Sequence, residues 1–185
     1  MEASPAGGLG QAVVVISGIQ AAGKSTVAQA LAERLPRSVH VRGDVFRRMV
    51  VGGRAEMTPS PSDDAVAQLR LRHRLAAQVS DAYFAAGFTV VCQDVILGEH
   101  LAEMPGLIRS RPLLVVVLAP RPEAIAAREA ARDKKAYGRF GIAHLDEALR
   151  RHTPRIGLWL DTTNQTPSQT VDEILARAWA EGRIP

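Results

Sequence analysis

The hydrophobic pattern of this chain alternates between short, unbroken apolar runs and longer segments whose apolar residues recur every three or four positions. The short runs are Ala12 to Ile16, Thr89 to Cys92, Leu113 to Leu118 and Gly157 to Leu160, and Val39 to Arg42 is a further short strand. β-Branched runs without polar alternation suit strands buried on both faces. The longer segments predict helices over Lys24 to Leu35, Ala65 to Ala86, Glu99 to Ile108, Pro122 to Arg132, Ala143 to His152 and Val171 to Ala180. In the first of these, Val27, Leu31 and Leu35 share a face, and Pro36 fits a stop. In the second, Val66, Leu69, Ala76, Val79, Tyr83 and Ala86 form the expected core face, with Gly87 as terminator. Strands separated by helices predict an α/β fold: a five-stranded, mainly parallel sheet with helices on both faces. Ligands of such sheets bind beyond the carboxyl ends of the strands.

One domain is expected over residues 11–185, preceded by a disordered tail at residues 1–10 that is rich in Pro, Ser and Gly. The 185-residue length, 46% hydrophobic and 23% charged composition are those of a soluble globular domain. Aromatic residues make up only 4%, so the core should be built from Ala, Val, Leu and Ile. The single cysteine, Cys92, excludes an intrachain disulfide and points to a reducing cytoplasm. Its place inside an apolar run reads as a buried structural thiol. The longest strongly apolar run, Leu113 to Ala119, is too short to span a bilayer, so no membrane association is expected. A net charge of +4 suits an anionic ligand such as a nucleotide and does not by itself indicate nucleic acid.

The chemistry is concentrated after the first strand. Gly18-Ile19-Gln20-Ala21-Ala22-Gly23-Lys24-Ser25-Thr26 has the spacing of a P-loop, placed between a strand and a helix. Glycines let backbone N–H groups approach phosphate oxygens, and the helix N-terminus adds positive potential. Lys24 supplies a charge for the β- and γ-phosphates of ATP or GTP, and the Ser25 hydroxyl can ligate Mg²⁺. Gly18, Ala21, Ala22, Gly23, Lys24, Ser25 and Thr26 are therefore the candidate nucleotide-binding residues.

Other candidates follow later strands. Asp44, after the second, can take the proton of an acceptor hydroxyl or cap the following helix; Arg47 lies beside it. Asp94, after the third, has the Walker-B position and could serve Mg²⁺ or the acceptor. Asp161-Thr162-Thr163-Asn164 shapes a turn that brings Thr162 beside the nucleotide base. Arg128 and Arg132 share a helix face and lead into a basic, glycine-interrupted stretch. They read as a lid near residues 128–141 that stabilises charge on the transferring phosphoryl group, or as a solvated basic face. His73 lies on the apolar face of its helix, as a core histidine or as a residue reaching the acceptor pocket.

These pieces together resemble the chloramphenicol phosphotransferase-like family of P-loop small-molecule kinases. The likeness rests on Gly18 to Thr26, Asp44, Gln93-Asp94-Val95-Ile96-Leu97, Arg128-Glu129-Ala130-Ala131-Arg132 and Leu160-Asp161-Thr162-Thr163. Family members often carry two adjacent acidic residues where this chain has Gln93-Asp94. The resemblance implies O-phosphorylation of a small hydroxylated acceptor by ATP or GTP, with Asp44 as base. The acceptor would be an antibiotic or a nucleoside-like natural product, and the outcome resistance by phosphorylation. A polynucleotide 5′-kinase, a toxin-like sugar-nucleotide kinase and a non-enzymatic nucleotide-binding regulator are the rival readings.

Overall fold

The computed structural model describes residues 9–131 and 141–185. The elements run β1 (Val13–Ser17), α1 (Lys24–Glu33), β2 (Ser38–Arg42), α2 (Gly43–Met49), α3 (Asp63–Ala85), β3 (Thr89–Gln93) and α4 (Glu99–Leu107). They continue with β4 (Leu113–Leu118), α5 (Pro122–Ala130), α6 (Ile142–His152), β5 (Leu158–Leu160), α7 (Pro167–Glu181) and β6 (Arg183–Ile184). Five strands form the expected parallel sheet in the order β2-β3-β1-β4-β5. This is the P-loop NTPase arrangement. The sequence pattern missed β6, which pairs antiparallel with the start of β4 through Leu113 and Leu114. Two residues are too few to carry a period.

Side chains alternate across the sheet, so each central strand feeds two cores. Val13 and Val15 of β1 face one side with Val90, Cys92 and Val115, covered by α3, α4, α5 and α6. Val14 and Ile16 face the other with Val91, Leu114 and Val116, covered by α1 and α7. β1, β3 and β4 are buried at every position, which explains their lack of polar alternation. Cys92 is fully buried, and burial pushes its thiol up to about 11, so it is a packing residue. Among the described residues no helix is long and apolar enough to cross a membrane.

Local signals set the helix ends. The Ser62 hydroxyl accepts the Ala65 N–H to cap α3, and Thr166 with Gln169 forms a capping box on α7. Gly87, at φ 86°, turns the chain out of α3 into β3. The phase of α3 differs from the expected one. Its buried positions are Ala65, His73, Ala76, Ala77 and Ser80, whereas Tyr83 and Ala86 are exposed. Small residues let the helix lie close to the sheet, and the Ser80 hydroxyl is satisfied by the Ala76 carbonyl. Tyr83 instead packs edge-on against Phe88. The packed chain also begins earlier than residue 11: Leu9 is buried, and the Gly10 carbonyl accepts from Thr89 Oγ1.

His73 belongs to this core and does not open to a substrate cleft, a correction to its acceptor-pocket reading. It is 3% exposed, its ring packs edge-on to His100, and its Nε2 has no hydrogen-bond partner among the described residues. Burial is the main cause that lowers its pKa to about 3, with His100 and Arg72 adding to the effect. The unfolded chain therefore binds a proton that the folded chain refuses. The resulting stability is full above the ordinary histidine value and lost as pH falls below it. Between pH 7 and pH 5 the loss should be on the order of 2 kcal/mol. His73→Phe should flatten the fall of Tm across that range; an equally steep fall in the variant would place the acid sensitivity elsewhere.

Candidate active site

β1 lies between β3 and β4, where the strand order reverses, and the loop after it opens into the crevice such a switch creates. Several contacts fix that loop. Ser17 Oγ donates to the Ile96 carbonyl at 2.6 Å and accepts the Ile96 N–H at 3.2 Å, tying the end of β1 to the segment after β3. Gly18 has φ 146°, and a Cβ there would lie 2.6 Å from the Leu118 carbonyl oxygen. Only glycine fits this passage over the end of β4. Ala21 (φ 58°) and Gly23 (φ 95°) both adopt left-handed conformations. Such residues among ordinary ones turn successive N–H groups to one side, which makes an anion-binding concavity. Gly23 is the N-cap of α1, which has no side-chain cap and no acidic residue in its first turn. Its first N–H groups and positive dipole end are left to a ligand. Lys24 is buried, with its ammonium donating to the Ile19 carbonyl at 2.8 Å.

Arg128 of α5 spans the mouth of this loop. Its Nη2 donates to the Thr162 carbonyl at 2.6 Å and its Nη1 to the Ala22 carbonyl at 3.3 Å. A cavity of about 220 Å³ opens here, lined by Ala21, Gly23, Thr26, Arg128, Thr162 and Gln165 among others. The Thr162 hydroxyl is buried without a partner among the described residues. The structure thus brings together Ala21, Ala22, Gly23, Thr26, Arg128 and Thr162. Asp161 forms the expected turn, accepting the Thr163 N–H at 3.0 Å, and hydrogen bonds from Thr163 lower its pKa. Gln165 was missed because it lies one residue beyond that recognisable run. Arg132 and most of the expected lid, residues 132–140, lie outside the described residues.

The other half of the site is built on the ends of β2 and β3. Asp44 sits in the first turn of α2; the N-cap is Arg42, so Asp44 is not the cap. Its Oδ2 accepts from Arg48 at 2.8 Å. Its Oδ1 lies 3.7 Å from Arg42 Nε, beyond hydrogen-bonding reach, and is enclosed without a donor among the described residues. Arg47 donates to Glu56 at 2.5 Å, and Arg54 stands 3.1 Å from the same carboxylate.

Between the two halves lies Asp94. Its N–H bonds the Ile16 carbonyl of β1, and both of its carboxylate oxygens accept from Arg72 of α3 in a bidentate pair. Oδ1 also accepts the Val95 N–H at 2.7 Å. Both oxygens are thus engaged by Arg72, so a metal bound directly at Asp94 would have to displace or share that pair. Ser25, partly exposed in the first turn of α1, keeps the hard-oxygen hydroxyl that suits Mg²⁺. Arg72 and Glu56, like Gln165, are residues of the candidate site that sequence reasoning missed. Gly43 makes the arrangement possible, since a Cβ there would fall 2.0 Å from Asp94 Oδ2.

A glycine-bounded phosphate loop at the switch point of a parallel sheet defines a P-loop nucleotide-binding protein. Residues 13–155 match the family model AAA_33, described as an AAA domain, and the chain belongs to that family. No curated protein matches the sequence significantly. Among solved structures, the Mycobacterium tuberculosis APS kinase in complex with AMPPNP and APS is similar at TM-score 0.64 and 20% identity, covering 89% of this chain and 95% of that one. The Deinococcus radiodurans tunicamycin resistance protein gives TM-score 0.66 and 15% identity, with 95% and 99% covered. A gluconokinase from Sinorhizobium meliloti 1021 gives 0.59 and 21%, with 90% of each chain covered. At these identities the likeness is one of fold.

The Gly43 contact yields a prediction. Gly43→Ala forces the buried Asp94–Arg72 pair to shift, and overpacking of this kind costs about 1–3 kcal/mol. Chemical denaturation should show that loss, while nucleotide affinity, set on the far side of β1, stays within a few-fold of the parent. An alanine variant as stable as the parent would mean that Asp94 yields freely.

Proposed function

We propose that the protein is a small-molecule kinase that transfers the γ-phosphoryl group of ATP or GTP to a hydroxyl of its acceptor. The observation that carries this reading is the enclosed, donor-free Oδ1 of Asp44, on the same sheet edge as the phosphate loop. A carboxylate oxygen shielded from water and lacking a donor is suited to accept a hydroxyl proton. Arg48 holds the other oxygen, Oδ2, at 2.8 Å, and Arg42 stands 3.7 Å from Oδ1.

In this reading the triphosphate lies in the loop from Gly18 to Thr26, with the base in the cavity beside Arg128 and Thr162. Lys24 leaves the Ile19 carbonyl for the β- and γ-phosphates. Mg²⁺, held by the Ser25 hydroxyl, would neutralise charge on the phosphoryl oxygens. Asp44 orients the acceptor hydroxyl for in-line attack and takes its proton. Arg128, already between the phosphate loop and the turn after β5, is placed to respond to charge migrating toward the leaving group. The buried Asp94–Arg72 pair would help to exclude water, which would otherwise compete as acceptor. The family resemblance to chloramphenicol phosphotransferase-like enzymes, together with a neighbour described as a tunicamycin resistance protein, favours a natural-product or sugar-like hydroxyl compound as acceptor.

Asp44→Asn tests the assignment. The amide keeps the shape but cannot take a proton, so transfer should slow by about two to four orders of magnitude. Nucleotide affinity, measured by titration, should be unchanged. Transfer near the parent rate would reduce Asp44 to a partner of Arg48.

A further inference from the structure

We propose that Arg72 binds an anionic group of the acceptor, so that the substrate is a hydroxylated small molecule bearing a carboxylate, phosphate or similar oxyanion. This rests on the kinase reading above and names the acceptor class for the same site.

The first observation is the way the guanidinium is divided. Nε and Nη2 of Arg72 are spent on Asp94. Nη1 makes no hydrogen bond among the described residues, and it is absent from the sealed, partnerless atoms, so it retains access to solvent. Arg72 is therefore anchored along one edge and presents the other. Its side chain is 14% exposed and that of Asp94 3%, so the anchor is inside the protein and the exposure that the pair keeps belongs to Arg72.

The second is cost. A buried ion pair seldom repays its desolvation, and apolar residues of similar volume would hold α3 to β3 as well. An interior that keeps such a pair at the edge of a site gains a rigid, oriented fork. Planar forks recognise carboxylates and phosphates in two-point contacts that a flexible lysine does not reproduce.

The third is the sign of the surroundings. Burial is the largest cause that lowers the pKa of Arg72, to about 10, and the next is repulsion from Arg47. Asp44 and Glu56, with the buried Cys92, act in the opposite direction, and Gly43, the neighbour of Asp44, abuts Asp94 Oδ2, so the start of α2 lies close to the pair. The carboxylates there are already matched: Glu56 by Arg47 and Arg54, Asp44 by Arg42 and Arg48. Asp94 is taken by Arg72 itself. The rim beside the base thus carries more guanidinium than carboxylate charge. A neutral acceptor would leave the free edge of Arg72 without an acceptor atom once water is excluded. An oxyanion near the reacting hydroxyl satisfies it with charge-assisted hydrogen bonds.

The test compares paired acceptors, sugar acids and sugar phosphates against the corresponding neutral sugars and nucleosides. Each is assayed with the parent, with Arg72→Lys, and with the double variant Arg72→Gln/Asp94→Asn, which leaves no unpaired buried charge. Circular dichroism and nucleotide titration verify that the variants fold and bind nucleotide. The parent should favour the anionic member in kcat/KM by about 10- to 100-fold, the worth of hydrogen bonds to a charged group. That preference should collapse in the double variant, mainly through KM, and return only in part with lysine. Equal use of neutral and anionic members by the parent overturns the anionic-acceptor assignment and leaves the kinase reading standing. A preference that survives in the double variant overturns the role of Arg72. Absence of any phosphorylated product, with nucleotide bound, overturns the kinase reading and this inference together.

Discussion

A strand buried on both faces can offer polar chemistry only at its ends, and that constraint organises this molecule. β1, β3 and β4 carry no solvent-facing side chain. Their side chains fill two cores, and every group able to meet a nucleotide is displaced to the carboxyl edge. There the chain must turn sharply over its neighbour. Gly18 passes within 2.6 Å, measured from a notional Cβ, of the Leu118 carbonyl, and Ala21 and Gly23 take left-handed conformations. The phosphate loop is the geometric consequence of that turn, and its uncapped helix provides the positive end.

The second half of the edge is held by charge instead of by backbone shape. Asp94 bonds to β1 through its backbone and to α3 through Arg72, while Gly43 leaves the room for both. This one residue joins β1 to the long helix α3, and the start of α2 packs against its carboxylate at Gly43. Removing either partner alone would strand a buried charge, a loss of about 3–5 kcal/mol. The position that commonly serves metal in P-loop proteins is used here to orient a guanidinium. Ser25 remains as the hydroxyl suited to Mg²⁺.

Much of this was legible in the chain. The phosphate loop is contiguous, so spacing alone identifies it. The strands follow from β-branched runs, and Asp44 and Asp94 follow from their places after strands. The partner of Asp94 could not be read, because Arg72 lies 22 residues away among alternating arginines of which any could turn inward. Glu56 sits in a loop with no period at all. The phase of α3 was misjudged because its alanines fit either face, and only contact with the sheet selects Ala76 and Ala77. His73 could be read as reaching the acceptor pocket for the same reason that it is buried: it lies on the inward face.

The central claim is that the two halves of the edge act on one phosphoryl group. A nucleoside triphosphate labelled in its γ-phosphoryl group, incubated with Mg²⁺ and a panel of hydroxylated compounds, tests it most directly. The account predicts that label appears as a phosphoester on at least one acceptor, in step with the nucleoside diphosphate formed. Label released only as inorganic phosphate, at a rate that no hydroxylated compound alters, would contradict it.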